Sequence, residues 1–208
     1  MNDGRSRRAE SQRVYRKAAL LTAAQEVFSE RGYHATSITD IVTQASVARG
    51  TFYQYFDSKK EIFLELLASL ISELQSSIVG VDQKEDAPPL EQQLIATVYR
   101  IFDVVSANRS ITTIVFREAV GLDQDVDRLL QQFYGGLEHY IVTALAVGQG
   151  VGTVRPLHRE VVANCIVGSM RQVAHRYLID AQEEKFDAKH ISEEIVQLTL
   201  HGVVTGQN

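Results

Sequence analysis

The sequence predicts an all-α fold of about nine helices: an N-terminal three-helix domain followed by a larger C-terminal helical bundle. Three observations carry this expectation. Apolar residues recur at helical spacing in nearly every segment. No stretch longer than about four residues alternates apolar and polar side chains as a half-buried strand does. Thirteen glycines, three prolines and no tryptophan in 208 residues are a thin supply of turn residues for an all-β chain.

The elements follow in order. Leu20, Ala24, Val27 and Phe28 fall at i, i+4, i+7 and i+8 and form one apolar stripe. That first helix stops at Gly32, a residue suited to the left-handed position after a helix. Ser37, with Asp40 three residues on, imitates a capping box and opens a short helix over 38–45. A tight break and a second short helix over 49–55 come next. Ser58 then caps a long helix running to residue 79, with Ile62, Phe63, Leu66, Leu67, Leu70, Ile71, Leu74 and Ile78 on a wide apolar face. Residues 80–89, GVDQKEDAPP, read as a linker, charged and closed by two prolines that cannot sit inside a helix. Helical patterns return at 90–107, 110–120, 124–148, 157–180 and 189–203. They are broken at Asn108, Gly121–Asp123, the GQGVGTVRP stretch and the polar run 182–188.

Charge and composition narrow the function. The net charge of −5 argues against a nucleic-acid partner only until its distribution is considered. Residues 1–60 hold ten Lys/Arg against six Asp/Glu, a net of +4, while the remainder holds eleven against twenty, a net of −9. A basic head on an acidic body is the footprint of a small DNA-binding region joined to something else. The single cysteine, Cys165, allows no internal disulfide and suits a reducing compartment; its apolar context predicts an inert core thiol. No apolar run reaches the roughly 18 residues of a membrane helix. The basic start MNDGRSRRAESQRVYRK lacks the apolar stretch of a secretory signal. A cytoplasmic protein without a membrane partner is expected.

Two short helices behind a supporting one make a helix-turn-helix, whose second helix presents its N-terminal residues to the major groove. ARGTFYQYFDSKK meets the demands on that second helix. Phe52 and Phe56, four apart, share a buried face, which leaves Arg49, Gly50, Thr51, Tyr53, Gln54 and Tyr55 for the groove and its walls. Arg49 suits guanine or phosphate and Gln54 suits adenine. The hydroxyls of Thr51, Tyr53 and Tyr55 suit phosphate oxygens, and Gly50 allows close backbone approach. Lys59 falls where a further phosphate contact is expected. Ser37 and Thr39, at the start of the first short helix, complete the DNA-contacting set. The arm bearing Arg5, Arg7, Arg8, Arg13, Arg16 and Lys17 reads either as a minor-groove element or as a solvated tail.

The stretch TSITDIVTQASVARGTFYQYFDSKKEIF resembles the DNA-binding domain of the TetR family of transcriptional regulators. The match rests on Thr36, Ser37, Ile41, Ala45, Val47, Arg49, Gly50, Thr51, Phe52, Tyr53, Tyr55, Phe56, Ser58 and Lys59, within a similar region of about residues 17–67. Three residues depart from the family pattern. Ser46 stands where glycine is usual in the turn, at a cost of about 1 kcal/mol if the backbone is left-handed there. Val42 replaces alanine, and Ala48 replaces a serine suited to capping the recognition helix.

The resemblance implies a division into an arm and DNA-binding domain (1–60, with a connecting helix over 58–79) and an effector-binding and dimerisation domain (80–208). It implies a homodimer on a palindromic double-stranded operator, with helices 157–180 and 189–203 forming half of a four-helix bundle; a buried central helix of a monomer is the alternative. It implies a repressor released by a small-molecule effector. In that scheme the effector shifts the 58–79 helix and changes the spacing of the two recognition helices. REAVGLDQDVD resembles regulators with hydrophobic or acyl-type effectors. Phe102, Val105, Phe133 and Leu137 are expected to line an apolar cavity, with Arg117, Gln172 and His175 as its polar groups. An activator or an effector-independent DNA-binding protein is the alternative function. An enzyme is not expected, since no nucleophile elbow, phosphate loop or metal-ligand spacing is present. No cofactor and no metal site are expected.

Overall fold

The computed structural model describes residues 3–119, 121–177 and 187–203, without the side chains of residues 3–6, 9 and 203. The fold is all-α, with nine α-helices among the described residues: α1 (Asp3–Arg31), α2 (Ile38–Gln44), α3 (Arg49–Phe52), α4 (Lys59–Ser77), α5 (Leu90–Ala107), α6 (Arg109–Ile114), α7 (Gln124–Gly150), α8 (Arg159–His175) and α9 (Ala188–Val203). A π-helical turn, Val115–Ala119, continues α6. The chain forms two compact units. The first joins the chain through Leu70 with Ser110–Val126, and the second joins Ile71–Arg109 with the chain from Asp127 onward.

In the first unit, local signals set the boundaries of each helix. Gly32 ends α1 at φ +82°, with its N–H donating to Phe28 O at 2.8 Å. Ser37 caps α2 reciprocally: its hydroxyl accepts from Asp40 N–H, and the Asp40 carboxylate accepts from Ser37 N–H. Ser46 turns the chain toward α3 at φ +53°, so the serine does occupy the left-handed region that glycine enters without cost. Ser58 Oγ accepts from Glu61 N–H at 3.2 Å and starts α4. Leu20, Ala24, Phe28, Ile41, Phe52, Phe56, Ile62, Phe63 and Leu67 are buried together as the core, with Phe28, Tyr33 and Phe63 stacked at centroid distances of 5.0–5.9 Å.

Two expectations for this unit need correction. The recognition helix stops at Phe52 instead of continuing to 55. Beyond it, Gln54 N–H bonds Thr51 O and Tyr55 N–H bonds Phe52 O, the i→i+3 pattern of a tightened last turn. The chain must reach the Ser58 cap within a few residues, and tightening keeps Phe56 buried beside Phe52. The basic arm is no tail: α1 begins at Asp3. Lys17 is held by Glu65 at 2.7 Å and lies 5.5 Å from the Phe56 ring centroid. The Arg5 side chain lies outside the described residues.

In the second unit, α5 packs along α9, and α9 also meets α8. Pro89 precedes the first turn of α5, and Asn108 closes its last. The linker expected at 80–89 is fastened to α5 by one side chain. Gln93 accepts from Asp82 N–H at 2.7 Å and donates to Asp82 O and Pro88 O at 3.0 and 2.6 Å. Helix α8 begins after His158 and ends at His175; positions 178–180 of the predicted helix lie outside the described residues. Cys165, expected in the core, is exposed on α8. Ala163 and Val167 face inward instead, so the wide apolar stripe of α8 leaves one side uncovered. No helix among the described residues is long and apolar enough to cross a membrane.

Candidate nucleic-acid interface

The capping box of α2 and the left-handed turn at Ser46 place α2 and α3 in contact. Ala48 occupies the N-cap of α3 with no side-chain hydrogen bond, so the serine that the family pattern carries there would have had a cap to make. The outward-facing residues of these two short helices make one polar surface. Arg49 bridges them: Nη1 donates to Thr39 Oγ1 at 3.5 Å and Nη2 to Tyr53 Oη at 3.4 Å. Its guanidinium carbon lies 6.0 Å from the Tyr53 ring centroid. Both bonds are long, and an arginine has five donors, so the group keeps directed N–H bonds for an external acceptor. Ser37, Thr39, Arg49, Gly50, Tyr53 and Gln54 are all exposed, while Thr51 and Tyr55 are half-buried.

These residues do not all have free functional groups. The Ser37 hydroxyl already donates to Asp40 Oδ2 at 2.6 Å. That bond, the Ser37 N–H and the neighbouring Arg31 guanidinium hold the Asp40 carboxyl below its ordinary value of 3.8. Lys59 is a correction. Its ammonium, expected against phosphate, donates to Tyr33 O at 2.6 Å, Thr36 O at 2.7 Å and His34 O at 3.4 Å. It also sits 4.3 Å from the Tyr33 ring centroid. An ammonium has three N–H bonds, and all three have protein acceptors. Partial burial pulls the Lys59 pKa down, and the Glu118 charge opposes that.

Sequence reasoning missed the role of Glu118. From the π-helical turn after α6 its carboxylate accepts from Tyr33 N–H at 2.7 Å and His34 N–H at 3.4 Å. The residues are 85 and 84 positions apart, and no local pattern signals such a pair. Lys60 was likewise unread as a structural cation. It pairs with Asp125 at 2.9 Å and Asp123 at 3.3 Å, and hydrogen bonds to both raise its pKa.

The residues expected to hold an effector divide between the two units. Phe102 and Val105 on α5 are buried, Phe133 and Leu137 on α7 and His175 on α8 are half-buried, and Gln172 on α8 is exposed. All six belong to the second unit. Arg117 belongs to the first and is exposed there. It lines a cleft of about 250 Å³ with Phe28, Arg31, Ile114 and Glu118. Position 117 lies on the short helical segment that packs back onto the N-terminal helices, a long-range arrangement its local sequence does not announce. Tyr134, which that set omitted, carries Arg171 over its ring at 5.6 Å, and burial raises its phenol.

Residues 20–66 match the family described as bacterial regulatory proteins, tetR family. Over 205 residues the chain is 26% identical to the HTH-type transcriptional regulator YdgC of Bacillus subtilis, covering 95% of this chain and 97% of that protein. It is 23% identical to the fatty acid metabolism regulator protein of the same organism, covering 88% and 93%. Among solved structures it is similar to the transcriptional regulator FadR from Bacillus subtilis in complex with stearoyl-CoA, with a TM-score of 0.69, 21% identity, and 89% and 98% of the two chains covered. The relatives are regulators and not enzymes.

Proposed function

We propose, from the match of residues 20–66 to the bacterial regulatory proteins of the tetR family, that the chain is a TetR-type regulator: a cytoplasmic, homodimeric repressor of a palindromic operator, released by a small hydrophobic or acyl-type effector. The observation that carries the DNA-binding part is the exposed Thr39–Arg49–Tyr53 bridge across α2 and α3. It aims a guanidinium, two hydroxyls and the Gln54 amide outward from a surface whose rear is buried phenylalanine. Arg49 and Gln54 read base edges; Thr39, Thr51, Tyr53 and Tyr55 contact phosphates, with Gly50 admitting the backbone and Ser37 at the edge.

The dimer reading draws on the uncovered side of the second unit. Val161, Cys165, Gly168 and Gln172 on α8 are exposed at i, i+4, i+7 and i+11, and Val161 is 56% exposed. On α9, Leu198 is 74% exposed. Apolar side chains on two adjacent helices, with a glycine that permits close approach, suit a second copy of the same pair across a two-fold axis. The effector class follows the names of the fatty-acid-related relatives, and α5, α7 and α8 supply Phe102, Val105, Phe133, Leu137, Gln172 and His175 to receive it.

A gel-shift titration on DNA from upstream of the gene, with and without stearoyl-CoA, tests the reading. A discrete complex that fades with micromolar acyl-CoA is expected, and a dimer by light scattering. A complex indifferent to every acyl chain length would remove the effector class, and a monomer at assay concentration would remove the two-fold reading.

A further inference from the structure

The turn that leads into the helix-turn-helix, residues 33–36, is gripped from both sides by opposite charges. On its N–H side stands Glu118, bonded to Tyr33 and His34. On its carbonyl side stands Lys59, bonded to Tyr33, His34 and Thr36. Glu118 lies so close that a Cβ at Gly32 would meet its Oε1 at 2.6 Å, a contact the end of that side chain can yield, while the φ of +82° is what favours glycine at position 32. Thr36 is 2% exposed and is tied by its hydroxyl to Gly32 O at 2.7 Å. One residue later comes the N-cap of α2. Whatever sets residues 33–36 therefore sets where α2 begins, and α2 carries α3 through their shared packing.

Three segments distant in sequence meet at this turn: the end of α1, the start of α4 and the π-helical turn Val115–Ala119. A π turn is an intrinsically less regular stretch of helix, often found where function needs local adjustment. Glu118 also lines the cleft of about 250 Å³ beside Phe28 and Ile114, which leaves its side chain open space to move into.

We propose that Glu118 and Lys59 are positioning residues for DNA recognition, forming an ionic clamp on residues 33–36 that holds the reading surface in its binding geometry and loosens when the π turn shifts. This rests on the DNA-binding reading above. The clamp adds no contact to DNA, since both side chains are engaged with the protein's own backbone. It acts by restricting the ensemble of turn conformations from which the operator selects.

The test uses the full chain and two independent readouts. Amide hydrogen exchange at Tyr33 and His34 is measured without DNA, and affinity for upstream DNA is measured by fluorescence anisotropy, for wild type, E118A, E118Q and K59M. E118A is expected to speed exchange at Tyr33 and His34 while exchange in the α4 core is unchanged. It is expected to weaken DNA binding about 5- to 150-fold, the span of ordinary coupling energies. E118Q keeps an acceptor for both N–H groups but loses the charge facing Lys59, so it is expected to fall between; a general loss of packing would not produce that rescue. Faster exchange at Tyr33 and His34 with unchanged DNA affinity would overturn the proposal, as would unchanged exchange in E118A. Should E118A not fold, E118Q and K59M decide by the same readouts. A wild-type chain that bound no DNA would count against the DNA-binding reading, and the exchange data would still decide the clamp.

Discussion

Replacing Ala48 by serine should stabilise the protein, and the reason lies in one unfilled helix cap. Ala48 holds the N-cap of α3 at φ −70° and ψ 147°, the extended geometry from which a serine hydroxyl accepts from the second or third helical N–H. It is exposed, so the hydroxyl would keep contact with water and carry no burial cost. The first amides of a helix have no internal acceptor. In α3, of only four residues, Thr51 N–H is satisfied through Ala48 O at 2.8 Å, leaving Gly50 N–H as the natural partner. Filling an N-cap is worth about 0.5–2 kcal/mol, centred near 1. For a chain of this size about 1 kcal/mol raises Tm by roughly 2–4 °C. Urea and thermal unfolding of wild type, Ala48→Gly and Ala48→Ser should give stabilities rising in that order, with glycine falling only a few tenths of a kcal/mol short of serine. A serine variant no more stable than wild type would refute the assignment of Ala48 as an empty cap.

Three further outcomes are expected. Ser46→Gly should gain up to about 1 kcal/mol, because relief of roughly 1–2 kcal/mol at φ +53° exceeds the flexibility glycine adds to the unfolded chain; a clear loss in urea midpoint would contradict the strain. Lys59→Met should cost about 2–3 kcal/mol, since partly buried carbonyls at Tyr33 and Thr36 lose a charged donor; a change within error on urea unfolding would show the ammonium to be replaceable by water. The depressed Asp40 pKa makes its cap a stabilising element above the ordinary carboxylate value of 3.8, lost as pH falls through the lower folded value. The difference in urea midpoint between wild type and Asp40→Asn should therefore shrink below about pH 3.8, and a difference constant across that window would contradict it.

Local signals were legible in the sequence wherever the deciding interaction is local. The Ser37–Asp40 capping box, the stop at Gly32, the start of α4 at Ser58 and the span of α5 each depend on residues within about four positions of one another. The departures at Ser46 and Ala48 also carried their consequences, a left-handed serine and an empty cap. What escaped is long-range. A lysine after a helix-turn-helix reads as a phosphate contact until the carbonyls of Tyr33 and Thr36 are seen around it. Glu118 reads as one more polar residue until its bonds to Tyr33 and His34 appear. The shortness of α3 reflects the demands of the following α4 cap. Cys165 looked buried because an apolar stripe wide enough for two partners gives no sign of which side the chain itself covers.

The central claim, that the α2–α3 surface reads DNA, is tested most directly by a footprint at single-base resolution. Wild type should protect two half-sites about one helical turn apart, or a multiple of that. Arg49→Ala with Tyr53→Ala should abolish that protection, both residues lying on the exposed bridge, while the folded state survives. An undiminished footprint in the double variant, at the same protein concentration, would contradict the account.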